Sequence, residues 1–329
     1  MIEPIPAPVQ RDPRADEHDA CALIANVRKK GGASHGNIKR TIEALMMMSH
    51  RSGIVDGEGD GCGVLVDIPR RIWAERLVGA GLFEAVTAHP RFFVGHFMVP
   101  RSLGESAGPL RERVEETFKT AGVEILWSGP GDVASVTLGP AAREEEPDFW
   151  QLAGFLNKGD TTEINARLFA IQLQIEATTE IHVASLSADS CVYKIRGSAE
   201  ALTRYYPELR RPDFVPAITI GHNRYSTNTA SAFERVQPFS MLGHNGEINT
   251  IARLREAALG IGTQLVKRGS DSQDLNRTME TMVHGYGMTL MEAVEVLFPP
   301  ILSEIKLLPA PLQDLYMFFR QLWGPFSQG

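Results

Sequence analysis

The chain alternates short apolar runs with polar, glycine-bearing ends, and the period of each run assigns its element. Extended runs predict strands at residues 22–27, 63–66, 91–99, 123–127, 166–175, 181–187, 190–195 and 217–220, with Met241-Leu242 as a further short strand. Helical spacing predicts a helix from Ser34 through Ile38, Ile42, Leu45 and Met46 to about residue 50. Others follow over 72–82, 109–120, 199–206, 289–297 and 312–323, and Ser270 or Asp271 caps one running through Leu275, Met279 and Met282. Ala188-Asp189, between two of the strands, reads as the turn of a hairpin. Strands in antiparallel-looking runs with helices between the groups predict an α+β fold, a layered αββα arrangement and not a doubly wound sheet.

Composition narrows the picture. With 43% hydrophobic residues, 329 positions supply a substantial core in one large domain or two ordinary ones. A formal charge of -7 and no basic stripe argue against nucleic acid as a partner. No apolar run approaches the roughly 18 residues of a membrane span, and the N-terminus lacks the apolar centre of a signal peptide, so a cytoplasmic location is expected. Pro4, Pro6, Pro8 and Pro13, with a charged run up to Asp19, make residues 1–20 an extended leader before a domain at 21–329. No GxGxxG or Walker sequence implies a nucleotide cofactor.

The candidate chemistry gathers in residues 221–250, where each apolar strand delivers polar groups at its end. Arg224 offers a planar fork for a carboxylate, and Asp271 a partner for an ammonium group; both also read as ordinary surface charges. Asn245-Gly246 combines a side-chain amide with a backbone N–H, the parts of an oxyanion hole or of a simple turn. His222 and His244 raise Cys–His or metal chemistry against plain hydrogen-bonded structure. Cys21 stands where the leader meets the first strand, as a nucleophile or a small buried hydrophobe. Cys21, Cys62 and Cys191 form no CxxC pair, and no metal site is expected. Acids at Asp56, Glu58, Asp60 and Asp67 around Gly61 imitate a calcium loop, but the strand pattern of 63–66 favours a glycine-rich turn.

Taken together these segments resemble the class II, N-terminal nucleophile glutamine amidotransferases, in particular the amidotransferase part of glutamate synthase. The likeness lies in His222-Asn223-Arg224-Tyr225-Ser226-Thr227-Asn228, Gln237-Pro238-Phe239, the run from His244 to Thr250, and Ser270-Asp271-Ser272. Asp19-Ala20-Cys21, Ser49-His50-Arg51, Gly59-Asp60-Gly61, Ser185-Leu186-Ser187 and Val192-Tyr193-Lys194 fit as well. The resemblance implies that residues 1–20 are a propeptide and that Cys21 is the nucleophile, with its own α-amino group as base. It assigns Asn245 and Gly246 to the oxyanion hole, Arg224 and Asp271 to the two ends of glutamine, and Tyr225 and Thr227 to the pocket wall. It implies a four-layer αββα sandwich and ammonia passed to a separate synthase subunit carrying FMN and an iron–sulfur cluster, hence a hetero-oligomer.

Three features depart from the family pattern. Cys21 is followed by Ala22-Leu23 instead of a glycine-rich turn, Ile251-Ala252-Arg253-Leu254 replaces a familiar loop, and the sequence ends near where further strands are expected. Competing expectations are a non-catalytic amidotransferase-like interaction subunit and a stand-alone glutaminase, or an amidotransferase with another acceptor.

Overall fold

The computed structural model describes residues 21–224, 230–246, 248 and 250–323. Up to the first sheet's central strand the order is β1 (Ala22–Val27), α1 (His35–Met47), a small hairpin of β2 (Ile54–Val55) and β3 (Glu58–Gly59), then β4 (Cys62–Asp67). Next come α2 (Arg70–Gly79), β5 (Phe92–Val99), α3 (Ala107–Thr120), β6 (Glu124–Pro130), α4 (Pro140–Glu144), β7 (Asp148–Phe155) and α5 (Thr161–Thr178). They are followed by β8 (His182–Ser187), β9 (Ser190–Ile195), α6 (Ala199–Tyr205) and β10 (Ile218–Asn223). Among the described residues after β10 come the helices α7 (Ile251–Gly260), α8 (Asp271–Glu280), α9 (Leu290–Leu297), α10 (Leu302–Ile305) and α11 (Ala310–Trp323).

Two four-stranded antiparallel sheets carry the fold, in the orders β1-β10-β4-β9 and β6-β7-β5-β8. This is the expected α+β class. Helix α1 packs on β1 and β10, and its Ile38, Ile42 and Leu45 join Val64, Val66, Tyr193, Trp73, Phe92 and Val94 in one apolar cluster. A second cluster fills the other face of β5 and β7, where Phe93, Phe97 and Leu152 meet Phe118 of α3 and Leu168 of α5. Burial of these side chains at about 25 cal/mol per Å² is the main stabilising term.

Several expected elements differ. Residues 166–175 are helix, not strand: Asp160 and Glu163 form a reciprocal capping box, and Ile164, Leu168, Ile171 and Ile175 bury one helical stripe. Residues 181–187 and 190–195 are strands but no hairpin, because β8 pairs with β5 while β9 pairs with β4 in the other sheet. The turn at Ala188-Asp189 moves the chain from one sheet to the other. Strand β1, expected to be buried, is the outer member of its sheet and alternates exposed positions with buried or half-buried ones. Met241-Leu242 is not a strand. Its neighbourhood is a loop, pinned where Met241 N donates to Asn276 Oδ1 at 3.0 Å.

Candidate functional site

The β1–β10 ladder ends with Ala22 opposite Asn223, so Cys21 and Arg224 occupy the next positions on two neighbouring strands. Cys21 is half-buried, and its carbonyl accepts from Arg51 Nε at 3.4 Å. Arg224 is fixed at both backbone and side chain. Its N–H donates to Gly61 O at 2.8 Å and its carbonyl accepts from Gly53 N at 3.0 Å. Arg224 Nη1 donates to Asp60 Oδ1 at 2.6 Å, and Nη2 to Ala230 O at 3.4 Å. Asp60 is fully buried, and this charge-assisted bond sets the plane of the guanidinium.

The segment after residue 230 lies against β4, where glycines leave space for it. A Cβ on Gly61 would come within 2.6 Å of Val236, and one on Gly63 within 2.4 Å of Gln237 O. Gln237 Oε1 in turn accepts from His244 N at 2.7 Å, and Gln237 Nε2 lies 3.5 Å from Ser272 Oγ. His222, on β10, donates through Nε2 to His244 O at 3.0 Å. The peptide of His244 is thereby held from both sides, directly before Asn245 and Gly246. These two residues are exposed, and Gly246 has φ 125°, in the region that favours glycine.

Electrostatics keep the histidines neutral. Burial lowers the His222 pKa to about 4, so the ring stays uncharged at neutral pH and serves as a hydrogen-bond donor. His244 is also lowered by burial, against the opposing charge of Asp271. Asp271 heads α8 behind a Ser270–Gln273 capping box and accepts from Ser272 N at 2.6 Å. An acid in this first turn is stabilised by the helix dipole.

Among the expected site residues, Cys21 and Arg224 thus lie at adjoining strand ends, while Asn245-Gly246 is tied to β10 through His244 and His222. Asp271 heads the helix whose Ser272 Oγ lies 3.5 Å from Gln237 Nε2. Tyr225 and Thr227 lie outside the described residues. Sequence reasoning placed two members in segments of the family likeness without assigning either a role: Asp60, which bonds Arg224, and Gln237, whose side chain bonds the His244 backbone. Gly59-Asp60-Gly61 carried the signal, an acid flanked by residues without side chains. Among the described residues no group of three or more His, Cys, Asp or Glu could hold a metal ion, and no helix is long and apolar enough to cross a membrane.

Comparison with known proteins shows the family of the chain. Residues 21–327 match the family model of glutamine amidotransferases class-II, a match that begins at Cys21. The chain is 29% identical over 337 residues to the glutamate synthase [NADPH] large chain of Azospirillum brasilense, covering 95% of this chain and 22% of that protein. It is 32% identical over 314 residues to ferredoxin-dependent glutamate synthase 1 of Arabidopsis thaliana, covering 86% of this chain and 19% of that protein. Against ferredoxin-dependent glutamate synthase 2 of Synechocystis the identity is 30% over 351 residues, covering 95% and 22%. The chain therefore spans about a fifth of the length of the curated relatives it matches. With the match spanning both sheets and every described residue of the strand-end site, the chain belongs to the class-II glutamine amidotransferases.

Proposed function

We propose that this chain is a glutaminase, the amidotransferase component of a glutamate synthase-like complex. The observation that carries the reading is the placement of Cys21 beside Arg224 at the end of the β1–β10 ladder, with the guanidinium aligned by buried Asp60. In this reading removal of residues 1–20 makes Cys21 the first residue of the working domain, 21–329. Its α-amino group, with an ordinary pKa of about 8, takes the thiol proton near working pH. The thiolate attacks the side-chain amide carbon of glutamine, and Asn245 Nδ2 with the Gly246 N–H stabilises the tetrahedral oxyanion. Collapse expels ammonia with the proton taken from the thiol and leaves a γ-glutamyl thioester. Water then cleaves the thioester to glutamate and regenerates the thiol. Arg224 holds the α-carboxylate and Asp271 the α-amino group, while Tyr225 and Thr227 line the pocket.

The same reading assigns the domain to the four-layer αββα sandwich class, supported by α1 on one sheet and by α3 and α5 on the other. It sends ammonia through a channel to a cytoplasmic partner subunit that binds FMN and an iron–sulfur cluster, forming a hetero-oligomer. The experiment is glutamine hydrolysis by wild type and Cys21→Ala, with intact-mass measurement of the N-terminus. Loss of hydrolysis with retained glutamine binding is expected, in protein that begins at Cys21. Unchanged hydrolysis in the variant, or an active protein still carrying residues 1–20, would reject the mechanism.

A further inference from the structure

Lys194, on β9, is fully buried and takes no part in the mechanism above. Its Nζ donates to Glu234 O at 2.8 Å, lies 3.1 Å from His182 Nε2 of β8, and sits 5.4 Å from the centroid of the Phe239 ring. Glu234 O is doubly held, since Gln273 Nε2 of α8 donates to it at 2.9 Å. Three residues on, Gln237 O lies over Gly63, the register partner of Lys194, and Gln237 Oε1 accepts from His244 N. A continuous series of contacts therefore joins Lys194 Nζ to the peptide that precedes Asn245.

The surroundings hold this group away from bulk solvent at a cost. A cavity of about 30 Å³, room for one water, borders Lys194, His182, Phe239, Ser240 and Asn276. Burial lowers the Lys194 pKa to about 7, opposed by the carboxylates of Glu234 and of Glu176 on α5. His182 is pushed well below its usual pKa by burial and by the Lys194 and Arg277 cations, so it faces Lys194 as a neutral acceptor. Arg277 is itself neutralised by Glu176 and Glu280. A buried lysine is costly for a merely structural link, because an apolar side chain of the same shape would fill the site.

We propose that Lys194 is a positioning residue for glutamine hydrolysis, fixing through the Glu234 carbonyl the segment that ends in the oxyanion donors Asn245 and Gly246. The inference rests on the glutaminase reading. Oxyanion donors act more strongly on the transition state than on bound glutamine, so their displacement lowers kcat and spares KM.

The test uses the full chain with Lys194→Met, which preserves length and burial without charge or donors, and Lys194→Arg, which restores both. For Lys194→Met, kcat should fall on the order of a hundredfold, the effect of misplacing a catalytic group by about 1 Å, with KM within about threefold of wild type. Lys194→Arg should recover part of kcat. Amide exchange over residues 236–246 should quicken in Lys194→Met while β5 and β7 keep wild-type rates. Unchanged kcat with unchanged exchange, a rise in KM alone, or equally faster exchange in β5 and β7 would each overturn the inference. If wild type itself fails to hydrolyse glutamine, the glutaminase reading falls. The exchange measurement then decides alone whether Lys194 holds the segment.

Discussion

His96 offers a sharp test of how the two sheets are joined. It is fully buried on β5, its Nδ1 donates to Val192 O of β9 at 2.9 Å, and its Nε2 accepts from Gln151 Nε2 at 3.0 Å. Gln151 cannot reverse its amide without loss, because its Oε1 accepts from Arg76 Nη1 at 2.7 Å. A second proton on His96 would therefore meet an N–H donor. Burial foremost, with the Arg76 cation assisting, lowers the His96 pKa to about 4. In the unfolded chain the ring titrates near 6.5. Between these values the unfolded state carries a proton that the folded state does not. Stability from this group is thus complete above about pH 6.5 and is lost as pH falls towards 4. At 1.36 kcal/mol per unit, about two and a half units amount to about 3 kcal/mol, a large share of a net stability of about 5–15 kcal/mol. Other buried groups titrate too, and Glu176 and Glu208, raised by burial, act in the opposite direction. His96→Gln isolates the one term, since effects common to both proteins cancel in the difference. Urea unfolding at about pH 7.5 and pH 4.5 should show the variant losing about 2–3 kcal/mol less than wild type across that interval. Parallel losses in the two proteins would refute the reasoning.

Three further outcomes are expected. Gly63→Ala should lower glutamine hydrolysis at least about tenfold, because its Cβ would stand 2.4 Å from Gln237 O and 3.0 Å from Lys194 Cβ and displace the segment before Asn245. Steady-state kinetics matching wild type would refute that account. Asp60→Ala removes the carboxylate from a buried ion pair, so denaturant unfolding should report a loss of about 3–5 kcal/mol, and KM for glutamine should rise as the Arg224 fork loses its alignment. Asp160→Ala breaks the exposed capping box of α5 and should cost about 1 kcal/mol in thermal or urea unfolding, with hydrolysis unchanged.

The fold was legible in sequence where periodicity was local. The helix over 35–47 and the strand over 92–99 followed from the spacing of their apolar residues. Helix α5 was misread because a run such as Leu168-Phe169-Ala170-Ile171 satisfies both templates, and the deciding signal, Asp160 with Glu163, lies upstream of it. Strand β7 was not separated from its surroundings, and the sheet change between β8 and β9 is a partner choice that no two-residue turn encodes. The placement of Cys21 and Arg224 at strand ends was legible from the apolar runs beside them. Asp60 on Arg224 and Gln237 on His244 were not, since each bond joins segments whose adjacency the tertiary fold creates.

Strands β3 and β4 and the turn between them carry glycine at alternate positions, 59, 61 and 63. Any side chain there would strike the backbone of Gly197-Ser198, the Val236 side chain and the Gln237 carbonyl in turn. The missing side chains form a mould, and the chain that fills it comes from the next strand connection and from the candidate site. A designer wishing to regraft this site should transplant the mould with its casting, because neither segment keeps its shape without the other.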